Sequence, residues 1–212
     1  VMVLVYNVFR GVVPSRMRNT FRGLQIFSSA FMAFSHGSND GQKFMGAFTL
    51  ALQAWQPVRW IDLDEVDSPQ DDLRRRGHAA GAVLFARGEG IHVGGSDFYF
   101  CCTSGGAAGF GQVMRYRPSR FEGRPDERRA PGRLQNFVES TDRSQLNFGD
   151  NLTVAPNGHL IICEDQYSET VDNYLRGVTP AGQLYPFARL RAQTELAGAC
   201  FSPDGATMFV NV

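Results

Sequence analysis

The chain has 212 residues, and its 21 lysines and arginines balance 21 aspartates and glutamates, so its formal net charge is zero. This length accommodates one full domain or two small ones. Because the charges balance, no overall field attracts nucleic acid, and we expect no nucleic acid partner. The four cysteines form no CxxC pair and lie in strand-like stretches, which predicts buried free thiols.

The chain opens at Val1 in hydrophobic sequence, with neither an initiator Met nor a signal-peptide pattern, so we expect a fragment. Residues 24–52 are long enough to span a bilayer, but the polar segment 36–40 interrupts them. Polar groups inside a membrane usually line a substrate or ion path. A soluble pair of buried helices joined by a polar turn fits equally well on composition. Either way, residues 21–52 are predicted to form two helical segments broken near Gly37–Asp40.

The string from Phe21 through Gly37-Ser38-Asn39-Asp40 to Leu52 resembles the inorganic phosphate transporter (PiT) family, over about residues 1–52. The resemblance implies that Asn39 and Asp40 are remnants of a phosphate and cation site, and that residues 21–52 contact a membrane. A complete transporter needs many more such helices, so transport by this chain alone is not expected.

The next segment, residues 53–80, is polar and acidic and is predicted to be a linker or loop. Its basic run Arg74–Arg76 is interpreted as part of a solvated loop.

A hairpin pattern occurs twice in the second half of the chain. Pro156-Asn157-Gly158 recurs as Pro203-Asp204-Gly205, 47 residues later, with apolar residues on both sides. Such turns join antiparallel strands, and a repeat of this period is typical of propeller blades. Strands are predicted at 91–93, 98–103, 112–117, 134–139, 152–155, 160–163, 183–189, 199–201 and 207–212.

The predicted fold is therefore mainly β, a partial β-propeller of about two and a half blades preceded by a short α-helical, membrane-like segment. The blades cover about 89–140, 150–190 and 198 to the end, within a β region of residues 81–212. Edges of such an open array need covering by another element.

Acidic or amide residues stand before each predicted blade: Glu89, then Asp150 and Asn151, then Glu195. The first strand of each propeller blade lines the axis, so these side chains are predicted to meet at one end. Oxygen ligands of this kind suit hard cations such as Ca²⁺, and carboxylates also suit Fe³⁺. The alternative is that each is an ordinary loop residue beside a turn.

An ordered series of motifs over about residues 57–212 resembles the PhoX alkaline phosphatase family. The motifs include Phe85–Gly90, Thr103–Gly106, Gly111–Tyr116, Asp150–Val154, Cys163–Asp165, Leu175–Pro180 and Gly198–Gly205. The resemblance implies an exported, cell-envelope phosphomonoesterase with a cluster of iron and calcium ions. It implies Glu89 and Glu195 as metal ligands and, more weakly, Asp150, Asn151, Glu164 and Asp165.

Arg189 or Arg191 could clamp a phosphate bidentately, although surface arginines at a strand end are the simpler interpretation. The family carries an upstream Asn-Cys ligand stretch that this chain lacks. We therefore expect a truncated phosphomonoesterase, acting on phosphate monoesters weakly or not at all. The alternatives are a non-catalytic, membrane-anchored module that binds phosphate or a cation, and a transporter remnant that carries a passenger domain.

Overall fold

The computed structural model describes residues 54–67, 70–166 and 168–212. The chain divides into two units, Val1–Ala51 and Leu52–Val212, and every described residue lies in the second. The predicted helical pair, its membrane contact, and Asn39 and Asp40 therefore lie outside the described residues. Within the described ranges, no helix is both long and apolar enough to cross a membrane.

The described residues form three antiparallel sheets and two short helices. Their bounds are β1 Gln56–Pro57, α1 Leu73–Ala79, β2 Gly88–Gly94, β3 Asp97–Cys102, β4 Gln112–Arg117, β5 Arg133–Glu139, β6 Gly149–Val154, β7 Leu160–Glu164, β8 Tyr174–Val178, β9 Leu184–Arg189, β10 Ala197–Phe201 and β11 Met208–Asn211. The second helix is a 3-10 helix at Pro125–Arg129, and both helices lie in connections. The first sheet has the strand order β1-β5-β4-β3-β2, the second β6-β7-β8-β9, and the third is the hairpin β10-β11.

The predicted antiparallel β structure after residue 80 is confirmed, and so are both hairpin turns. In the first turn Gly158 has a φ of 81°, and the Ala155 backbone N–H donates to the His159 carbonyl at 2.7 Å. In the second turn Gly205 has a φ of 69°. Glycine adopts this left-handed conformation without steric cost, which explains its place in both turns.

The second sheet lies between the other two layers and packs on both faces. One core cluster joins it to the first sheet and includes Val113, Val138, Leu152 and Ile162. A second cluster on the opposite face joins its Ile161, Cys163 and Leu175 to the β10–β11 hairpin. Burial on both faces explains why β7 is a continuous apolar run instead of an alternating one.

Glycine allows β2 to lie directly against β6. A Cβ at Gly90 would stand 2.8 Å from the Asn151 Cα and 2.8 Å from the Asp150 carbonyl oxygen. Further along, a Cβ at Gly94 would stand 3.0 Å from a Val154 methyl. The two strands therefore run side by side in the same direction, and their starts meet at one end.

The interpretation of residues 53–80 as a linker missed two elements, β1 and α1. β1 pairs with β5, and Trp60 packs edge-on to Tyr116 at 5.9 Å between ring centroids, so this segment covers the outer face of the first sheet. The interpretation of Arg74–Arg76 as a solvated loop is wrong, because these residues lie in α1 and Arg76 donates to Asp72 at 3.1 Å.

Two further differences concern β8 and the cysteines. β8 was absent from the predicted strands. Cys101, Cys102 and Cys163 are buried as predicted, but Cys200 is exposed, because its side chain lies on the face of β10 away from the second sheet.

Asp97 holds two arginines of β4, and the ring of Trp55, just before β1, packs on both of them. Its carboxylate is 2% exposed and accepts hydrogen bonds from Arg115 Nε at 2.6 Å and Arg117 Nε at 2.7 Å. The Trp55 ring lies 4.8 Å from the Arg117 guanidinium carbon and 5.2 Å from that of Arg115. The hydrogen bond from Arg117 holds the pKa of Asp97 below its ordinary value of 3.8, against the opposing effect of burial.

Replacing Gly90 by Ala should separate β2 from β6, since the new methyl group meets backbone atoms that cannot rotate away. We expect Gly90→Ala to lower the free energy of unfolding by about 1–3 kcal/mol, measured by urea denaturation. Gly88→Ala in the same strand is the matched control, because a Cβ there has no atom within 4 Å. Equal stabilities for the two variants would contradict the close approach.

Replacing Asp97 by Asn should lower the free energy of unfolding at pH 7 by about 3 kcal/mol, because it leaves two arginines without their buried carboxylate. The depressed pKa means that the contribution of Asp97 is complete well above pH 3.8 and is lost as the pH falls below that value. The variant should therefore lose less stability than the wild type on acidification, in denaturation curves measured from pH 7 to pH 3. Asp126→Asn, which breaks the exposed pair with Arg129, should change neither quantity measurably.

Candidate functional site

The starts of β2, β6 and β10 lie at the same end of the three sheets. β6 packs against both β2 and β10, and the turn at Gly205 lies beside Pro156 at the opposite end. Glu89 stands in β2, Asp150 and Asn151 stand in β6, and Glu195 precedes β10 by two positions. The fold therefore brings the backbone at Glu89 next to the backbone at Asp150.

The side chains at this end have few protein partners. Glu89 lies 3.6 Å from Arg87, and both side chains are 41% exposed. Asp150 accepts a long, weak hydrogen bond from Thr103 Oγ1 at 3.5 Å and a shorter one from Asn151 Nδ2 at 2.9 Å. Glu195 is exposed. These four residues offer oxygen atoms to the solvent at the strand starts.

Glu164 has a different environment from the other acidic candidates, because its carboxylate is fully buried. One oxygen accepts from Arg176 Nε at 2.7 Å and the Asn147 N–H at 2.9 Å. The other accepts from the Tyr174 N–H at 2.9 Å and Gln166 Nε2 at 3.3 Å. Burial raises the pKa of Glu164, while the contact with Arg176 acts in the opposite direction. The protein supplies four hydrogen-bond donors to this carboxylate, which therefore connects strands and loops.

Asp165 lies beside the start of β6, whereas Arg189 lies across the sheet from it. Asp165 follows β7, and its backbone N–H donates to the Phe148 carbonyl at 2.9 Å. Arg189 ends β9, three strands across the sheet from β6, and its Nε donates to Asp172 at 2.6 Å. Its side chain is 60% exposed, so the contacts favour a surface ion pair over a phosphate clamp.

The thiols beneath the strand starts are protonated at neutral pH. Burial, together with the nearby Asp150, raises the pKa of Cys101 well above its ordinary value, and burial raises the pKa of Cys102 to about 11. Thiols of this kind are neither nucleophiles nor ready metal ligands.

Within residues 54–67, 70–166 and 168–212, no three His, Cys, Asp or Glu side chains form a group that could hold a metal ion. Carboxylate and amide oxygens, such as those at the strand starts, are the type of ligand that a hard cation prefers. Too few of them lie together to complete a site, and we derive no chemical step through a metal.

The sequence reasoning missed a cavity of about 640 Å³ beside the Glu164–Arg176 pair. The only sequence signal was Arg176 itself, a charged residue within an apolar segment. The cavity is lined by Arg143, Ser144, Asn147, Phe148, Gln166, Ser168, Thr170, Asp172, Tyr174, Arg176 and Pro186.

Residues 29–212 match the family profile described as alkaline phosphatase PhoX. The chain therefore belongs to the PhoX alkaline phosphatase family. The match begins at residue 29, whereas the sequence motifs placed the start of the resemblance at about residue 57.

Two further similarities cover parts of this chain. It is 44% identical over 55 residues to probable low-affinity inorganic phosphate transporters of Mycobacterium bovis and Mycobacterium tuberculosis, which fits the predicted transporter-like fragment. These 55 residues are 26% of this chain and 13% of the transporter. The structure of Pseudomonas fluorescens PhoX in complex with vanadate, a transition state analogue, is similar at 22% identity and a TM-score of 0.49. That likeness covers 63% of this chain and 30% of the solved chain.

Replacing Glu164 by Gln should leave Arg176 buried without a counter-charge, which lowers the free energy of unfolding by about 3–5 kcal/mol. The double variant Glu164→Leu with Arg176→Met should recover much of this loss, since it removes both buried charges. Urea denaturation measures all three proteins, and Asp165→Asn is the neighbouring control with little expected effect. A single Glu164→Gln variant as stable as wild type would contradict the structural role of this pair.

Proposed function

We propose that this chain is part of a PhoX-type, metal-dependent phosphomonoesterase that releases phosphate from organic phosphate esters. The observation that carries the proposal is the meeting of acidic strand starts, Glu89 in β2 and Asp150 in β6, in a chain of this family. Glu195 before β10 belongs to the same proposed site, with Asn151 as an additional oxygen donor.

In this proposal the three sheets are blades of a β-propeller. β2, β6 and β10 are the innermost strands, because each is an edge strand of its sheet and β6 packs against the other two. The stacking of the sheets face to face, with one core cluster on each side of the second sheet, supports this arrangement.

The acidic strand starts support the proposal that a cation takes part. The carboxyl groups of Glu89, Asp150 and Glu195 would repel a phosphate ester, which is an anion, unless a cation lies between them. Calcium and iron, implied by the family resemblance, are proposed as the resident ions. Glu89, Asp150 and Glu195 would hold such ions, whose positive charge would offset the repulsion between these carboxylates and a phosphate ester.

The role left to the chain itself is to hold carboxylate and amide oxygens on rigid strands at a fixed separation. Glu164 contributes indirectly, because its hydrogen bond to the Asn147 N–H fixes the loop that leads into β6. We propose a cell-envelope location on the basis of the family resemblance.

A second candidate function is binding of inorganic phosphate or a cation without catalysis. The specific observation in its favour is the 44% identity to phosphate transporters, with Asn39 and Asp40 as the proposed binding residues. Membrane contact through residues 21–52 belongs to this candidate.

Calcium should bind weakly to the purified chain and stabilise it through Glu89. At a Ca²⁺ concentration tenfold above its dissociation constant, mass action adds about 1.4 kcal/mol, which raises the Tm by roughly 3–6 °C. Differential scanning fluorimetry should show this shift in wild type and a smaller one in Glu89→Gln and Glu195→Gln. The exposed loop variant Glu169→Gln should keep the full shift.

Hydrolysis of p-nitrophenyl phosphate with added Ca²⁺ and Fe³⁺ should be weak, because the ligand set in the described residues is incomplete. Turnover typical of an alkaline phosphatase and abolished by Glu89→Gln would contradict the incomplete site while supporting the catalytic role of Glu89. A Ca²⁺ shift that Glu89→Gln leaves unchanged would contradict the proposed cation site.

A further inference from the structure

The first sheet presents apolar side chains to solvent on the face that points away from the second sheet. Ile91 pairs with Phe100 and Val93 pairs with Phe98 across β2 and β3, so these four side chains share one face. The adjacent Gly94 approaches Val154 of β6, so the second sheet lies on the other face. Ile91 is 62% exposed and Val93 is 52% exposed. We call this surface the first end face.

The segment that leads into β2 extends the first end face. The Phe85 ring lies edge-on to the Phe100 ring at 5.2 Å between centroids, and Phe85 is itself 37% exposed. None of the five side chains carries a charge. A contiguous apolar surface of this kind on a protein usually marks an interaction site.

The third sheet presents a smaller apolar surface at the opposite end of the stack. Phe201 and Met208 pack towards the second sheet. Cys200 and Phe209, which pair with each other and alternate with those residues, point away from it. Phe209 is 57% exposed, and Cys200 is exposed as well. We call this surface the second end face.

Both end faces resemble the faces that are already packed inside this chain. The second sheet is covered on one face by the first sheet and on the other by the β10–β11 hairpin, each through an apolar core cluster. The partner that fits an uncharged sheet face is therefore another sheet. A second copy of this chain offers the first end face a complementary sheet in its own second end face, and the reverse contact is equivalent.

We propose that two copies of this chain assemble head to tail into a closed ring. The first end face of each copy packs on the second end face of the other. This inference rests on the proposed propeller arrangement of the three sheets. Two copies supply six sheets, and propellers typically have about four to eight blades, so a two-copy ring lies within the range that closes.

The exposed apolar area is sufficient for a weak assembly. The exposed parts of Ile91, Val93, Phe85, Cys200 and Phe209, with the smaller exposed parts of Phe98 and Phe100, amount to roughly 500 Å² for each contact, and the ring has two contacts, so the total of about 1,000 Å² reaches the size that a specific interface needs. We therefore expect a dissociation constant in the micromolar range.

The ring also has a consequence for the acidic strand starts. In the proposed propeller, β2, β6 and β10 are the innermost strands, so a second copy places its own Glu89, Asp150 and Glu195 around the same axis. The dimer thus offers a cation more oxygen ligands than one copy does.

Sedimentation velocity on the full chain in EDTA tests the assembly over a range of micromolar concentrations. We expect a monomer–dimer equilibrium that stops at the dimer, because a closed ring leaves neither end face free. Ile91→Asp and Phe209→Lys should each weaken dimerisation at least tenfold, since each buries a charge in an apolar contact. Phe187→Asp is the matched control, because Phe187 is 49% exposed but belongs to the second sheet. A monomer at all concentrations, or a mass that grows beyond the dimer, would overturn the closed ring.

A mixture of the two charged variants separates head-to-tail contact from contact between identical faces. In a ring of one Ile91→Asp copy and one Phe209→Lys copy, one contact pairs the two new charges and the other is wild type. We expect this mixture to dimerise although neither variant does so alone, and this rescue also shows that both variants are folded. Failure of the mixture to dimerise, or a dimer that only one of the two variants disrupts, would rule out the head-to-tail contact.

Calcium titration distinguishes this inference from the proposed function on which it rests. We expect the Ca²⁺-induced rise in Tm to be smaller in Ile91→Asp than in wild type at equal concentration, although Ile91→Asp keeps Glu89. An equal rise in both proteins would show that one copy binds the cation alone, and the shared site would be wrong. A wild-type dimer without any Ca²⁺-induced rise would contradict the proposed cation site and leave the assembly intact.

Discussion

The buried carboxylate of Glu164 is the interaction on which the second sheet and its surroundings depend. It stands at the end of β7 and accepts hydrogen bonds from the start of β8, from Arg176 within β8, and from the loop that leads into β6. A charge in this position is tolerated only because both oxygens are satisfied. Its contacts therefore connect β8 and the loop before β6 to the end of β7.

Different strands of the second sheet position the acidic residues and the buried arginine. On the β6 side, Gly90 allows β2 to approach closely and brings the acidic strand starts together. On the β8 side, Glu164 orients Arg176, whose remaining nitrogens line the cavity. The acidic strand starts thus offer oxygen atoms suited to a cation, whereas Arg143 and Arg176 line the cavity beside Glu164.

The strands with regular apolar patterns and glycine turns were predictable. The hairpins at Pro156–Gly158 and Pro203–Gly205 follow from local turn chemistry alone, and β4 occurs at the predicted residues. β8 was not predictable by the same reasoning, because Arg176 and Gly177 interrupt its apolar pattern. Its arginine is compatible with a buried strand only through Glu164, a residue that pairs with it from another strand.

Residues 56–80 show the same limit in a different way. Their polar composition is typical of a loop, yet Trp60 packs against Tyr116 and β1 pairs with β5. Asp97 is buried for a related reason, since Arg115 and Arg117 come from the neighbouring strand β4. In each case the stabilising partner lies far away in the sequence, so no local pattern indicates it.

The sequence by itself determined the β character of the second half, the division of its strands into three groups, and the positions of its acidic residues before those groups. These features depend on short-range rules of alternation and turn geometry. Only the tertiary structure decided that Glu164 is a structural ion-pair partner, that Arg189 pairs with Asp172 at the edge of its sheet, and that Arg143 and Arg176 line one cavity. The physical reason is that the role of a charged side chain depends on the opposite charges and donors that the fold places around it, and on whether water reaches it. Neither of these is encoded in the local sequence.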